Sequence, residues 1–251
     1  MLLRGKNALV YGGGGSIGGA VARAFAREGA SVFLAGRTLA NLDKVAADIA
    51  AAGGAADTAQ VDAHDPEAVE AHVEEVARKA GTIDVCFNAV GLNDVQDMPL
   101  VEMSLQDFIT PVTEAARTHF LTATAAARRM TAQGSGVIVM LSSSAARESG
   151  FEMGGFSLAC AAIECLTRSL AGEVGRHGVR VVALRPNLIP ETHPEISESH
   201  PQAVQALAEG TALGRLSRLA EVADTAAFVA SDHAGAMTGA VVNLTCGAIV
   251  D

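Results

Sequence analysis

The sequence predicts an α/β protein, a doubly wound parallel sheet of seven strands with helices on both faces in a three-layer α/β/α arrangement. Three observations carry the prediction. Short β-rich runs alternate with longer helical runs from the N-terminus onward, at the spacing of successive βαβ units. The chain has 251 residues with no internal repeat and no Pro- or Ser-rich linker, so residues 1–251 read as one domain around one well-filled core. Hydrophobic residues make up 49% and charged residues 18%, which excludes a disordered or low-complexity chain.

The elements follow in order. Residues 6–11 read as a strand and 16–28 as an amphipathic helix. Residues 31–36 give a second strand and 39–51 a helix; residues 56–61 give a third strand and 66–79 the next helix. That helix carries its own start signal, with Asp65 as N-cap and Pro66 at its first position. A fourth strand at 83–88 leads to a long Ala-rich helix at 105–131 and a strand at 136–141. A helix at 156–176, a strand at 179–185, a helix at 220–231 and a strand at 240–244 complete the pattern. Residues 187–214, with Pro190, Pro194 and Pro201, are the least regular stretch and read as a mobile flap beside the site.

Composition narrows the function classes. There are 18 Lys and Arg against 28 Asp and Glu, a formal net charge of −10, and no basic stripe, so a nucleic-acid partner is not expected. Cys86, Cys160, Cys165 and Cys246 form no C-x-x-C pair and no metal-ligand spacing, and read as free thiols of an intracellular protein. The apolar run ahead of the first glycines is too short for a signal peptide. No stretch reaches the roughly 18 apolar residues of a membrane helix. A soluble, cytoplasmic protein acting on a small molecule is the expectation.

Between the first strand and the first helix lies Tyr11-Gly12-Gly13-Gly14-Gly15-Ser16-Ile17-Gly18. A glycine-rich turn in that place lets backbone N–H groups approach a pyrophosphate at a helix N-terminus, which is the signature of a Rossmann-type dinucleotide site. The second strand ends at Gly36-Arg37. An acidic residue there would accept from a ribose 2′-OH and repel a 2′-phosphate; Gly36 removes the repulsion and Arg37 offers a bidentate cation. NADP(H) is favoured over NAD(H) on that charge logic.

With these features the chain resembles the short-chain dehydrogenase/reductase family. The family's T-G-x-x-x-G-x-G loop corresponds to Tyr11 through Gly18, and its N-N-A-G motif to Asn88-Ala89-Val90-Gly91. Leu213-Gly214-Arg215-Leu216, Glu221-Val222-Ala223, Phe228-Val229-Ala230-Ser231 and Thr238-Gly239 look like its C-terminal half. The resemblance implies cofactor contacts from Gly12, Gly14, Gly15, Ser16, Ile17, Gly18 and Arg37. It implies further contacts from Asp62, Ala63, Asn88, Gly91, Pro186 and Ile189. It also implies a homodimer or homotetramer packed through the two long helices, whose Ala-rich surfaces suit close packing.

The catalytic positions implied by the family follow from its spacing. Ser143, after the fifth strand, takes the Ser position; thirteen residues on, Phe156 stands where Tyr is expected, and four further, Cys160 stands where Lys is expected. Alignment through Phe120 and Met130 puts Ala115 in the Asn position. The only Tyr is Tyr11, and the lysines are Lys6, Lys44 and Lys79. The family's Tyr protonates the alkoxide that hydride delivery creates, with an adjacent ammonium lowering its pKa from about 10. Phe156 has no proton to give and Cys160 is not a fixed positive charge.

Further departures lie at Pro186-Asn187-Leu188-Ile189-Pro190-Glu191-Thr192, where Asn187 replaces a Gly and Thr192 falls one residue late, and at Thr245-Cys246-Gly247. Three functional expectations follow. The first is an oxidoreductase that protonates through water or through Glu191, His193, Glu152 or Arg147. The second is a cofactor-binding pseudoenzyme acting as sensor or partner subunit. The third is a non-redox enzyme reusing the pocket with Ser143 or Cys160, although a buried structural thiol suits Cys160 better.

Overall fold

The structure, a computed structural model, describes residues 1–250. Its strands are β1 (Asn7–Tyr11), β2 (Ser31–Gly36), β3 (Ala55–Gln60), β4 (Val85–Asn88), β5 (Gly136–Leu141), β6 (Val179–Pro186) and β7 (Ala240–Leu244). They form one parallel sheet in the order β3-β2-β1-β4-β5-β6-β7. The order reverses direction between β1 and β4, and it is there that open α/β sheets leave a crevice at the strands' carboxyl ends.

Alternation along each strand divides the core in two. Ala8, Val10, Val32, Leu34, Phe87, Val139, Val182 and Leu184 face one layer, with Val21, Phe25, Val222 and Ala226 from helices α1 (Ser16–Arg27) and α8 (Leu219–Ala230). Leu9, Tyr11, Cys86, Ile138, Met140 and Val181 face the other, with residues of α3 (Pro66–Ala80), α4 (Leu105–Gln133) and α5 (Gly154–Val174). The core residues of both layers are under a tenth exposed, so the side chains of the central strands contribute to one face or the other, whereas edge strand β3 leaves Ala55, Asp57 and Gln60 exposed.

The remaining helices are α2 (Leu39–Ala51), α6 (Pro194–Ser199) and α7 (Pro201–Glu209). The last two correct the expectation of an irregular flap over 187–214. Pro194 and Pro201 do not interrupt the chain; each sits in the first helical turn, where its missing N–H has no intrahelical partner to lose. A 3₁₀ turn at Pro190–Thr192 precedes them.

The α3 cap is as expected: the Asp65 carboxylate accepts from the Glu67 and Ala68 amides at 2.9 and 3.3 Å. Helix α5 starts two residues earlier than its periodicity implies and ends at Val174, its last turn tightening to 3₁₀ at Gly175–His177. Near that start, α4 and α5 cross so closely that a methyl group on Gly155 would overlap the Phe108 carbonyl. Among the described residues no helix is long and apolar enough to cross a membrane, and no cluster of His, Cys, Asp or Glu could hold a metal ion.

Candidate functional site

A cleft of about 220 Å³ opens at the carboxyl ends of the strands flanking the reversal. Its floor is the glycine turn. Gly12 has φ +73°, and a Cβ there would overlap the Ala89 carbonyl; a Cβ on Gly18 would overlap the Gly12 carbonyl. The turn and the β4 loop are therefore in backbone contact, and only glycine allows it. Gly15 is the N-cap of α1 and no side chain caps that helix, which leaves its first amides directed at the cleft.

Of the residues expected to hold a cofactor, Gly12, Gly14, Gly15, Arg37, Asp62, Ala63 and Gly91 line this cleft. Thr38, Asn41 and His64 line it as well and were not read from the sequence. The others do not line it with their side chains. Ser16, Ile17 and Gly18 carry the first amides of α1; Ser16 is exposed, Ile17 packs on the core and Gly18 serves the turn's close packing. Asn88 is buried and its amide is consumed inside the protein: Nδ2 donates to the Thr118 carbonyl and to Thr122 Oγ1 at 3.2 and 2.8 Å, while Oδ1 accepts from the Val90 amide. It ties β4 to α4 and shapes the loop that lines the cleft. Pro186 and Ile189 lie outside the lining, and the Ile189 side chain is core.

The rim beside β2 carries the charge. Arg37 is exposed; Gln60 donates to its carbonyl, while its guanidinium makes no ion pair or hydrogen bond among the described residues. Thr38 is the N-cap of α2 and its hydroxyl caps nothing. Across the cleft the Asp62 carboxyl is held below its usual range, first by the His64 amide at 3.0 Å, then by the His64 ring and by the positive charge of Arg37. One end of the cleft thus offers uncapped amides, the other a free guanidinium opposite an anchored carboxylate. This donor set fits a dinucleotide with its pyrophosphate on α1.

The proposed catalytic residues lie on the far side of β4. Ser143 is half-buried, and its hydroxyl accepts from the Ala145 amide at 3.3 Å. Phe156 is half-buried on the first turns of α5, and Cys160 is 2% exposed one turn below on the same face. The Ser143 backbone and the Ser142 side chain both approach the Cys160 sulfur, so the fold brings 143 and 160 together. Ala115 is fully buried in the layer it shares with Ala159 and Ile163.

Burial pushes the Cys160 thiol up to about 12, reinforced by the negative charge of Glu164 and, less strongly, Asp94. Such a thiol is neutral and a poor nucleophile, which removes the basis for a reaction through Cys160. Tyr11 offers no substitute acid: its phenol is 1% exposed, has no hydrogen-bond partner among the described residues, and is raised well above its usual pKa by burial.

Replacement donors named from the sequence fare unevenly. Glu191 accepts from the Leu219 amide at the start of α8, and His193 faces Glu195 at 3.3 Å. Glu152 holds a positive φ of 50° before α5, and its carbonyl accepts from the Asp97 amide. That contact fixes the β4–α4 connection against the start of α5, and so brings Asp94 within electrostatic reach of Cys160. Asp94 was missed because its partner lies 66 residues on and no local spacing signals it. Gln96 Nε2 donates to it at 2.5 Å, and the neighbouring Asn93 is clamped by two hydrogen bonds to Glu114.

With Cys86 and Cys160 both pushed up to about 12, roughly one molecule in ten thousand carries either thiolate at about pH 8. Iodoacetamide should leave both unmodified in the native protein and label them after unfolding, as read by peptide mass mapping. Native labelling of Cys160 as fast as a free thiol would refute this placement.

A sheet of this order, reversing at a glycine turn that opens on a cleft, defines a Rossmann-type α/β protein. The chain belongs to the short-chain dehydrogenase/reductase family of oxidoreductases. The family model described as enoyl-(acyl carrier protein) reductase matches residues 13–248. The short-chain reductase protein NovJ of Streptomyces niveus is 33% identical over 96% of this chain and 92% of its own length. A short-chain type dehydrogenase/reductase from Mycobacterium ulcerans superposes with a TM-score of 0.92 at 28% identity, over 99% of this chain and 91% of that one. A gluconate 5-dehydrogenase from Burkholderia cenocepacia J2315, solved in complex with NADP and tartrate, gives 0.90 at 25% identity, over 98% and 96%. Members of this family bind nicotinamide cofactors.

Proposed function

We propose that this chain is an NADP(H)-dependent oxidoreductase whose proton transfer does not use a tyrosine–lysine pair. The observation that carries the cofactor preference is Arg37 at the end of β2, its guanidinium without a protein partner at the rim of the cleft and with no acidic residue at Gly36. A 2′-phosphate placed there meets a bidentate cation and the uncapped Thr38 hydroxyl. The relative crystallised with NADP supports the reading by analogy of fold and sequence.

NADP(H), held there by the glycine turn and Arg37, would supply or accept a hydride at the substrate carbon. The chain's own contribution at that end is the Ser143 hydroxyl, which orients a substrate oxygen, and the Phe156 ring, which walls the site without offering a proton. Proton transfer then falls to water or to an acidic group near α5, for which Glu152 and Asp94 are the candidates in place. The substrate is a small molecule. The exposed Phe120 (55%) and Leu158 (45%) on α4 and α5 support the expected homodimer or homotetramer. A cytoplasmic location belongs to the same proposal.

A second reading, a cofactor-binding pseudoenzyme, is favoured by the neutral Cys160 and the sequestered Tyr11. Titration with NADPH followed by nicotinamide fluorescence tests the common ground. Wild type should bind, and Arg37→Ala should weaken NADPH by about 10- to 100-fold while changing NADH little, the value of one or two charge-assisted hydrogen bonds. No binding at millimolar NADPH defeats both readings. Binding with zero turnover on a panel of ketones and enones leaves the pseudoenzyme.

A further inference from the structure

Helix α5 presents Phe156, Cys160 and Glu164 at successive turns of one face. Glu164 is 5% exposed, and its carboxylate is saturated with donors. Arg185 Nε reaches Oε1 at 2.7 Å, a second Arg185 nitrogen reaches Oε2 at 2.8 Å, and the Ser142 hydroxyl donates to Oε1 at 3.0 Å. The same hydroxyl lies 3.3 Å from the Cys160 carbonyl. Arg185, 3% exposed, is the last residue of β6 before Pro186.

Two charges so thoroughly removed from water gain little over a matched apolar pair, so stability alone does not explain them; what a bidentate pair adds is a fixed geometry. This one joins the end of β5, the α5 face and the end of β6. Those are the elements that carry Ser143, Phe156 with Cys160, and the segment from Pro186 to Ile189. Two residues beyond Arg185, Asn187 is buried and tied the other way. Its Nδ2 donates to the Thr245 carbonyl at 2.9 Å, and its Oδ1 accepts from the Ser217 amide and hydroxyl. Arg185 and Asn187 are therefore held from opposite sides, Arg185 by Glu164 and Asn187 by Ser217 and the Thr245 carbonyl.

We propose that Glu164 and Arg185 are positioning residues that hold the segment after β6 in the geometry that orders the nicotinamide half of the bound dinucleotide. The inference rests on the proposed NADP(H) reading and adds to it a division of labour. The adenine half is held by the glycine turn and Arg37. The nicotinamide half is held through a buried ion pair that does not touch it.

The test uses two ligands on the intact protein. NADPH reports both halves, through its affinity and through the fluorescence gain of an immobilised dihydronicotinamide; 2′-phospho-ADP-ribose, measured by calorimetry, reports the adenine half alone. Glu164→Gln keeps the shape and removes the charge. It should weaken NADPH by at least about 10-fold and abolish the fluorescence gain, while changing 2′-phospho-ADP-ribose by less than about 2-fold. Because Glu164→Gln leaves a buried guanidinium without its counter-charge, which destabilises the fold, Glu164→Leu with Arg185→Met is the companion. This apolar pair should melt near wild type yet show the same loss at the nicotinamide end. Equal weakening of both ligands, or a retained fluorescence gain in a folded variant, overturns the positioning role alone. A wild type that binds neither ligand overturns the cofactor reading and the inference with it.

Discussion

Phe156→Tyr together with Cys160→Lys is expected to raise carbonyl reduction at least about 10²-fold over wild type, the low end of what a general acid contributes. The expectation does not rest on the family spacing alone. The negative charges of Glu164 and Asp94 that help raise the Cys160 thiol would act on a lysine at the same place in the opposite sense. They favour the ammonium, against a burial that disfavours it. That ammonium, one turn from residue 156, in turn lowers the introduced phenol's pKa toward the working range. Phe156→Tyr alone should gain much less, since its phenol would lack the cation. NADPH oxidation across a ketone panel reads the result. A double variant that binds NADPH and gains nothing would show that residues 156 and 160 do not stand at the proton-transfer position. Wild type already matching the double variant would show the same.

Acid should unfold the protein through two histidines that the fold keeps neutral. His72 and His119 are both lowered from 6.5 to about 4, in each case chiefly by burial. Around His72 lie Tyr11, edge to face at 5.8 Å, Lys79, which lowers it further, and Asp57 and Glu75, which oppose the shift. His119 Nδ1 sits 3.1 Å from the Ala115 carbonyl and 3.5 Å from Thr118 Oγ1, while its Nε2 has no partner among the described residues. A base whose folded pKa is depressed binds its proton first in the unfolded state. Stability is therefore full above about 6.5 and declines as pH falls through the window down to about 4. Each histidine costs on the order of 3 kcal/mol at the bottom of that window.

Together these should lower Tm by at least roughly 10 °C between neutral pH and about pH 4.5. His119→Leu should flatten part of the slope. The depressed carboxylate of Asp62 acts only at lower pH, because its unfolded value is 3.8 and its contribution is lost below that. A Tm constant across the histidine window would mean that both rings already carry protons in the native protein.

Much of the architecture was legible in the chain because it is written locally. Strand and helix periods repeat over a few residues, Asp65-Pro66 marks a helix start by its own chemistry, and the glycine turn announces itself between the first strand and the first helix. Phe156 and Cys160 were legible for the same reason, as identities at a fixed spacing. Local reading erred where a residue has two meanings. Pro194 and Pro201 suggested irregular chain, yet a proline breaks a helix interior and begins a helix equally well.

What the sequence could not decide was which polar groups remain available once the chain is packed. Asn88 matched a motif, but its amide is spent on Thr118 and Thr122 of α4. Tyr11 was the one phenol in the chain, and the layer beneath the sheet removes it from use. Glu164 and Arg185 are 21 residues apart and share no pattern until α5 packs beside β6. By itself the sequence determined the order of elements, the turn where a dinucleotide fits, and the absence of a proton donor at 156. The tertiary structure alone decided which charges are paired, which thiol is silent and which guanidinium stays open. Those properties depend on burial and on partners from distant elements, and both exist only after the helices have taken their rotation against the sheet.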